Sequence, residues 1–329
     1  MAYLLISLFA DLLMHYFFYG EDSYSIVKKT AEFRRAFVEK NSDFNLTELE
    51  GEKITYEKYW NSVNSLPFLG DKRLIIIKNI FQNPNKEIRA EISKTLEKIL
   101  KENVVLFVDT VMPDKRESLF KKMPKEKTAF YFGPLYGAKL SAWIDQKIAG
   151  LGEIKITPVA KSKLILYVGG DLWRLENEIS KLYFLAVSLD KKEIDDNLVE
   201  NNVEADLEIK AFALNDALVR QDTKTALTSM ENLLKNGEEE LRLFNLIVYQ
   251  FRTMIILSDL TGEPSSKIAS ETKLNPFVVS KTLPLFRRFD LNKIYTGYRN
   301  LGKLDIEIKT GRIEPKMALF RAVVDFCRR

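Results

Sequence analysis

Between residues 15 and 132, short apolar runs alternate with stretches that repeat at helical spacing. His15-Tyr-Phe-Phe-Tyr19 reads as a buried strand and Gly20-Glu21-Asp22 as the turn that ends it. Asp22 or Ser23 then caps a helix whose inner face is Ile26, Thr30, Phe33 and Phe37. Asn45-Leu46-Thr47 is a candidate second strand, followed by a helix over Tyr56–Val63. Leu74-Ile75-Ile76-Ile77 is wholly apolar and mostly β-branched, the mark of a fully buried strand. Residues 86–100 place Ile88, Ile92, Leu96 and Leu100 four apart on one helix. Residues 104–108 form another buried strand ending on Asp109, residues 115–122 a short helix, and residues 128–132 a strand. Strands separated by helices need parallel crossovers, so the pattern predicts a three-layer α/β domain.

From Lys139 the pattern turns to helices alone. Leu140, Ile144 and Ile148 mark one. Residues 159–168 form a second, stopped by Gly169-Gly170, and Asp171 caps a third that buries Leu172, Leu175, Ile179 and Leu182. Beyond residue 205 the candidates are residues 211–220, 224–234, 238–257, 276–286, Leu291–Lys309 and 315–326. In residues 238–257, Leu241, Phe244, Val248 and Phe251 make one apolar face, broadened by Ile247, Ile255 and Ile256. So wide a face suits a helix packed on several sides, in a monomeric bundle or against other subunits. The expected division is an α/β domain over 14–137, a small helical domain over 138–205 and an all-α domain over 206–329. Residues 1–13 are apolar except for Ser7 and Asp11, lack the cationic start of a signal peptide and are too short to span a bilayer. They read as a non-native or disordered extension ahead of Met14.

Composition narrows the chemistry. One cysteine, Cys327, forbids an internal disulfide and fits a reducing, cytoplasmic setting. With His15 as the single histidine, the chain cannot build a His- or Cys-based zinc site, a Ser-His-Asp triad or a Cys-His pair. The net charge of +4 is unevenly spread: from Glu263 onward there are 14 Lys+Arg against 7 Asp+Glu. A basic final segment suits either proximity to nucleic acid, with Arg287, Arg288 and Lys293 as candidates, or an ordinary solvated helical surface.

Two places carry possible function. The first strand–turn–helix is where a phosphate loop would lie, but GxxxxGK[ST] is absent. One glycine is followed instead by Glu21 and Asp22, whose charges repel phosphate. Asp109, which in an ATPase would hold magnesium, has no second acid directly after it and reads as a strand-end cap. The other place is Ser65-Leu66-Pro67-Phe68-Leu69-Gly70, just before the Leu74–Ile77 run. A surface turn has no need of Phe-Leu at its tip. The pair either folds into the core or anchors another protein.

Four segments resemble the delta subunits of bacterial DNA polymerase III: Tyr19–Tyr24, Ser65–Leu74, Gly170–Leu182 and Leu304–Arg312. They fall in order across three domains, and the likeness extends from Met14 to about Val324. The resemblance implies a clamp-loader subunit of AAA+ class fold without a functional phosphate loop: an α/β domain, a helical lid and a helical collar. It implies no catalysis and no bound cofactor in this chain. ATP would be held by partner subunits, and nucleotidyl transfer, the DNA-directed DNA polymerase activity, would belong to the holoenzyme. The implied partners are the sliding clamp (beta), the motor subunits (gamma/tau) and delta-prime through the collar, and primed DNA within the complex, with no membrane. The clamp contact would be Phe68 and Leu69, with Leu66 and Ser65 beside them. Phe-then-Leu here departs from the Leu-Phe order of some members. The competing readings are an AAA+-type ATPase with a degenerate nucleotide site and a stand-alone DNA-binding protein.

Overall fold

Side-chain alternation along the strands decides the layers of the first unit. The computed structural model describes residues 15–68, 70–123, 128–205, 210–260, 262–272, 274, 279, 283 and 291–327. The chain divides into two units, one ending at Leu135 and the next beginning at Tyr136. In the first, β1 (His15–Gly20), β2 (Leu46–Glu50), β3 (Arg73–Lys78), β4 (Asn103–Asp109) and β5 (Ala129–Phe132) form one sheet in the order β2-β3-β4-β1-β5. Every pairing is parallel.

Successive side chains point to opposite faces. Phe17, Ile75, Ile77, Val105 and Phe107 meet α2 (Tyr56–Val63), α3 (Lys86–Thr95) and α4 (Ser118–Lys122) on one face. Tyr16, Phe18, Leu74, Ile76, Val104 and Leu106 meet Ile26, Phe33 and Phe37 of α1 (Ser23–Asn41) on the other. This is the expected three-layer sandwich. Asp22 caps α1 by accepting the Ser25 N–H at 2.9 Å. The helix expected over residues 86–100 is shorter: α3 ends at Thr95 and tightens into a 3-10 turn at Leu96–Lys98, which still buries Leu96.

The second unit opens with α5 (Gly137–Ala149), α6 (Pro158–Val168), α7 (Leu172–Ser188) and α8 (Asp196–Asn202). Their inner faces hold Leu140, Ile144, Ile148, Leu164, Leu175, Ile179 and Leu182. Gly169 stops α6 at φ 72°, its N–H bonded to the Ile165 carbonyl at 2.8 Å. The region is not purely helical as expected, because Lys155–Ile156 and Glu193–Ile194 pair as two short parallel strands, β6 and β7. A two-residue strand is shorter than any readable periodicity.

The rest comprises α9 (Phe212–Val219), α10 (Thr223–Lys235), α11 (Glu240–Ser258), α12 (Ser265–Thr272), α13 (Leu291–Lys309) and α14 (Pro315–Cys327). α11 is central: Leu243, Phe244, Ile247, Phe251 and Met254 pack with residues of α9, α10, α13 and α14. Its buried arc is turned from the expected one, leaving Leu241 and Ile256 exposed. By length and composition α11 is apolar enough to cross a membrane, but half of that window is buried inside the protein. The expected helix over 276–286 lies largely outside the described residues, as do residues 1–13.

Candidate functional site

Each crossover of a parallel sheet returns the chain to the same end before the next strand. The segments leading into β2 and β3 are therefore neighbours, fixed by the register Leu46 to Leu74. Both carry large apolar side chains turned to solvent. Leu66 is 70% exposed and Phe68 58%, while Phe44, on the 3-10 turn Asp43–Asn45 before β2, is 74% exposed. The Phe44 and Phe68 rings lie 6.1 Å apart, tilted by 58°.

Buried polar groups fasten the backbone beneath these exposed side chains. Asn45 is fully buried. Its Nδ2 donates to the carbonyls of Phe68 at 2.9 Å and Asn41 at 3.1 Å, and its Oδ1 accepts the Phe68 N–H at 2.6 Å. Asn103, the first residue of β4 and also fully buried, donates to the carbonyls of Val63 at 2.8 Å and Ser65 at 2.9 Å. Arg73, the first residue of β3, donates to Thr47 Oγ1 at 2.8 Å and, at 3.5 Å, to the Leu66 carbonyl. Gly70 fits the same arrangement, since a Cβ there would stand 3.0 Å from Asn45 Nδ2.

Of the residues singled out in the sequence, Leu66 and Phe68 are thus on the surface together. Ser65 is half-buried, and its hydroxyl donates to the Asn61 carbonyl at 2.5 Å, back toward α2. Leu69 lies outside the described residues. Phe44 and Asn45 were not anticipated. The available signal was one aromatic inside the polar run Asn41-Ser42-Asp43-Phe44-Asn45.

At the opposite, C-terminal end of the strands, the turn between β1 and α1 is closed by its own acids. Asp22 caps the helix, and its N–H donates to the Phe132 carbonyl at 3.1 Å. Glu21 accepts from the Tyr131 hydroxyl at 2.9 Å. Gly20 sits at φ 143°, where a Cβ would meet the Phe132 carbonyl oxygen at 2.1 Å. Asp109, the last residue of β4, accepts the Phe81 N–H at 3.2 Å and so caps the 3-10 turn Ile80–Gln82. Burial pushes its carboxyl well up from the ordinary carboxylate range, against the pull of the Phe81 and Ile80 amides and Arg89. Among the described residues, no group of three or more His, Cys, Asp or Glu is placed to hold a metal.

Lys293 is exposed in the first turn of α13 and borders a cavity of about 230 Å³ lined also by Phe251, Asn300 and Asp325. Arg287 and Arg288 lie outside the described residues.

Two family models match the chain: the delta subunit of DNA polymerase III over residues 16–132, and that subunit's C-terminal domain over residues 208–326. A curated protein of Bacillus subtilis, DNA polymerase III subunit delta, is 26% identical over 316 residues, covering 92% of this chain and 90% of that protein. Among solved structures, the Bacillus subtilis DNA clamp loader delta protein aligns over 100% of both chains, with a TM-score of 0.69 and 23% identity. A RuvB Holliday junction branch migration motor of Thermotoga maritima aligns over 85% of this chain and 82% of its own, with a TM-score of 0.45 and 9% identity, too slight a likeness to build on.

Proposed function

Because the chain belongs to the delta-subunit family of DNA polymerase III, we propose that it binds the ring-shaped sliding clamp through Leu66, Phe68 and Leu69 and helps open the ring for loading onto primed DNA. The observation that carries this reading is the contrast at the tip. Leu66 and Phe68 are exposed, while the backbone that bears them is held by the buried amides of Asn45 and Asn103. An apolar side chain on a soft loop loses part of its binding energy in being ordered, whereas one on a pinned backbone does not. Burying an aromatic and an aliphatic group in a pocket supplies roughly 1.5–3 kcal/mol each. To open a ring, that energy must be larger for the sprung clamp than for the closed one.

The chain itself performs no catalysis and takes no nucleotide. The amides at the start of α1 are engaged by Asp22, and Glu21 and Asp22 set negative charge where a phosphate would approach. ATP is bound by the motor subunits. The protein joins them and delta-prime in the cytoplasm through the helices beyond residue 205, with residues 138–205 as the lid domain. Lys293, Arg287 and Arg288 face DNA only within that assembly. Nucleotidyl transfer belongs to the polymerase, not to this subunit.

The test is a pull-down with the organism's own clamp. The double variant Phe68→Ala with Leu69→Ala retains its circular dichroism spectrum and loses clamp binding. A folded double variant that still binds the clamp places the contact elsewhere and overturns the assignment.

A further inference from the structure

We infer that Phe44 is a third anchor of the same apolar tip, and that Asn45 is the positioning residue that locks Phe44 and Phe68 into one surface. This rests on the clamp-binding reading above and extends it to a segment more than twenty residues earlier in the chain.

Phe44 is a large aromatic ring held at 74% exposure on a turn that is otherwise polar. Its nearest aromatic companion is Phe68, 6.1 Å away and likewise exposed. The two rings come from different lead-in segments, so their meeting is a property of the fold. The backbone between them explains it. At the end of α1, Ser42 takes φ 67°, a left-handed value that turns the chain sharply into the 3-10 turn. Asn45, next to Phe44, then reaches across to Phe68 and bonds both its N–H and its carbonyl.

One buried side chain therefore fixes the residue beside it and the residue opposite it. The aromatic pair, with Leu66, presents an apolar surface wider than Phe68 supplies alone. The chemistry it recognises is an apolar pocket with room for a second ring, on the clamp that the tip already engages.

Four full-length variants and titration with the purified clamp decide the matter. Phe44→Ala weakens clamp binding by roughly tenfold, the size of a small hot spot, at an unchanged thermal midpoint, and Phe44→Leu recovers most of the loss. If Phe44→Ala binds as the parent does while Phe68→Ala with Leu69→Ala does not, the inference fails and the tip assignment stands. If all of them bind as the parent does, both fail. Asn45→Ala speeds amide hydrogen exchange at Phe68 and weakens clamp binding, while protection in β3 is unchanged. Unchanged affinity despite faster exchange at Phe68 overturns the positioning role, and so does general loss of β3 protection, which marks a purely structural residue. Should Asn45→Ala fail to fold, Gly70→Ala replaces it, pressing a methyl group on the same amide.

Discussion

Asp109 illustrates how one side chain is tuned by where its strand ends. One oxygen accepts the Phe81 N–H, and the other, Oδ2, is buried without a hydrogen-bond partner. Burial raises its carboxyl in the folded state above the unfolded value. The folded protein then holds this proton more tightly than the unfolded chain does, so its contribution to stability is full below about pH 4 and is lost as pH rises through the folded value. Asp109→Asn removes that loss. Urea midpoints measured from pH 5 to 8 should therefore show the variant gaining on the parent as pH rises. His15 has the opposite sign. Burial lowers it, against a hydrogen bond that the ring donates to the Leu96 backbone carbonyl, so it costs stability as pH falls below about 6.5. The difference between Asp109→Asn and parent isolates the carboxyl from it. At the tip, Phe68→Ala alone should raise the clamp dissociation constant by about ten- to a hundredfold, read by titration calorimetry. Its unfolding midpoint should barely move, because the ring is already 58% exposed.

Among the elements, the link between α3 and α4 is the clearest case of one contact holding two pieces. Arg89 is 6% exposed and grips Glu117 with two bonds, of 2.8 and 3.1 Å. Glu117→Gln leaves a buried guanidinium without its counter-charge, and chemical denaturation should show a loss of about 2 kcal/mol, less than for a fully buried pair because Glu117 is partly solvated. The elements differed in how readable they were. β3 and β4 were legible because their apolar runs suit a sheet covered on both faces, and α1 because Ile26, Thr30, Phe33 and Phe37 repeat at helical spacing and are all buried. α12, Ser-Ser-Lys-Ile-Ala-Ser-Glu-Thr, was missed because it has a single large apolar residue and so no repeat to read. At the tip, Pro67-Phe68-Leu69-Gly70 was legible as an anomaly, a turn with too much apolar bulk. Asn45 was not, because its main partner is a backbone 23 residues away, and backbone atoms leave no mark in a sequence.

For the whole molecule, the division after Leu135 has a practical consequence. All five strands of the main sheet, the helices that cover it and the exposed tip belong to the first unit. A fragment of residues 14–135 should unfold cooperatively and bind the clamp with an affinity near that of the full chain, while failing to assemble with the other loader subunits. Size-exclusion chromatography with each partner checks both halves of that expectation. The full chain alone should show no change in polarisation of a fluorescent ATP analogue at micromolar concentrations, since the β1–α1 turn is closed by Glu21 and Asp22. The grip of Asn45 on Phe68 has a consequence for how such a protein diverges. It holds only the N–H and the carbonyl, groups that every residue but proline possesses. The scaffold is therefore indifferent to the side chain at position 68. Phenylalanine, leucine or methionine should exchange there with little cost to folding, so a tip with the clamp-binding role proposed above would be free to drift in step with the pocket of its partner while the frame beneath stays the same.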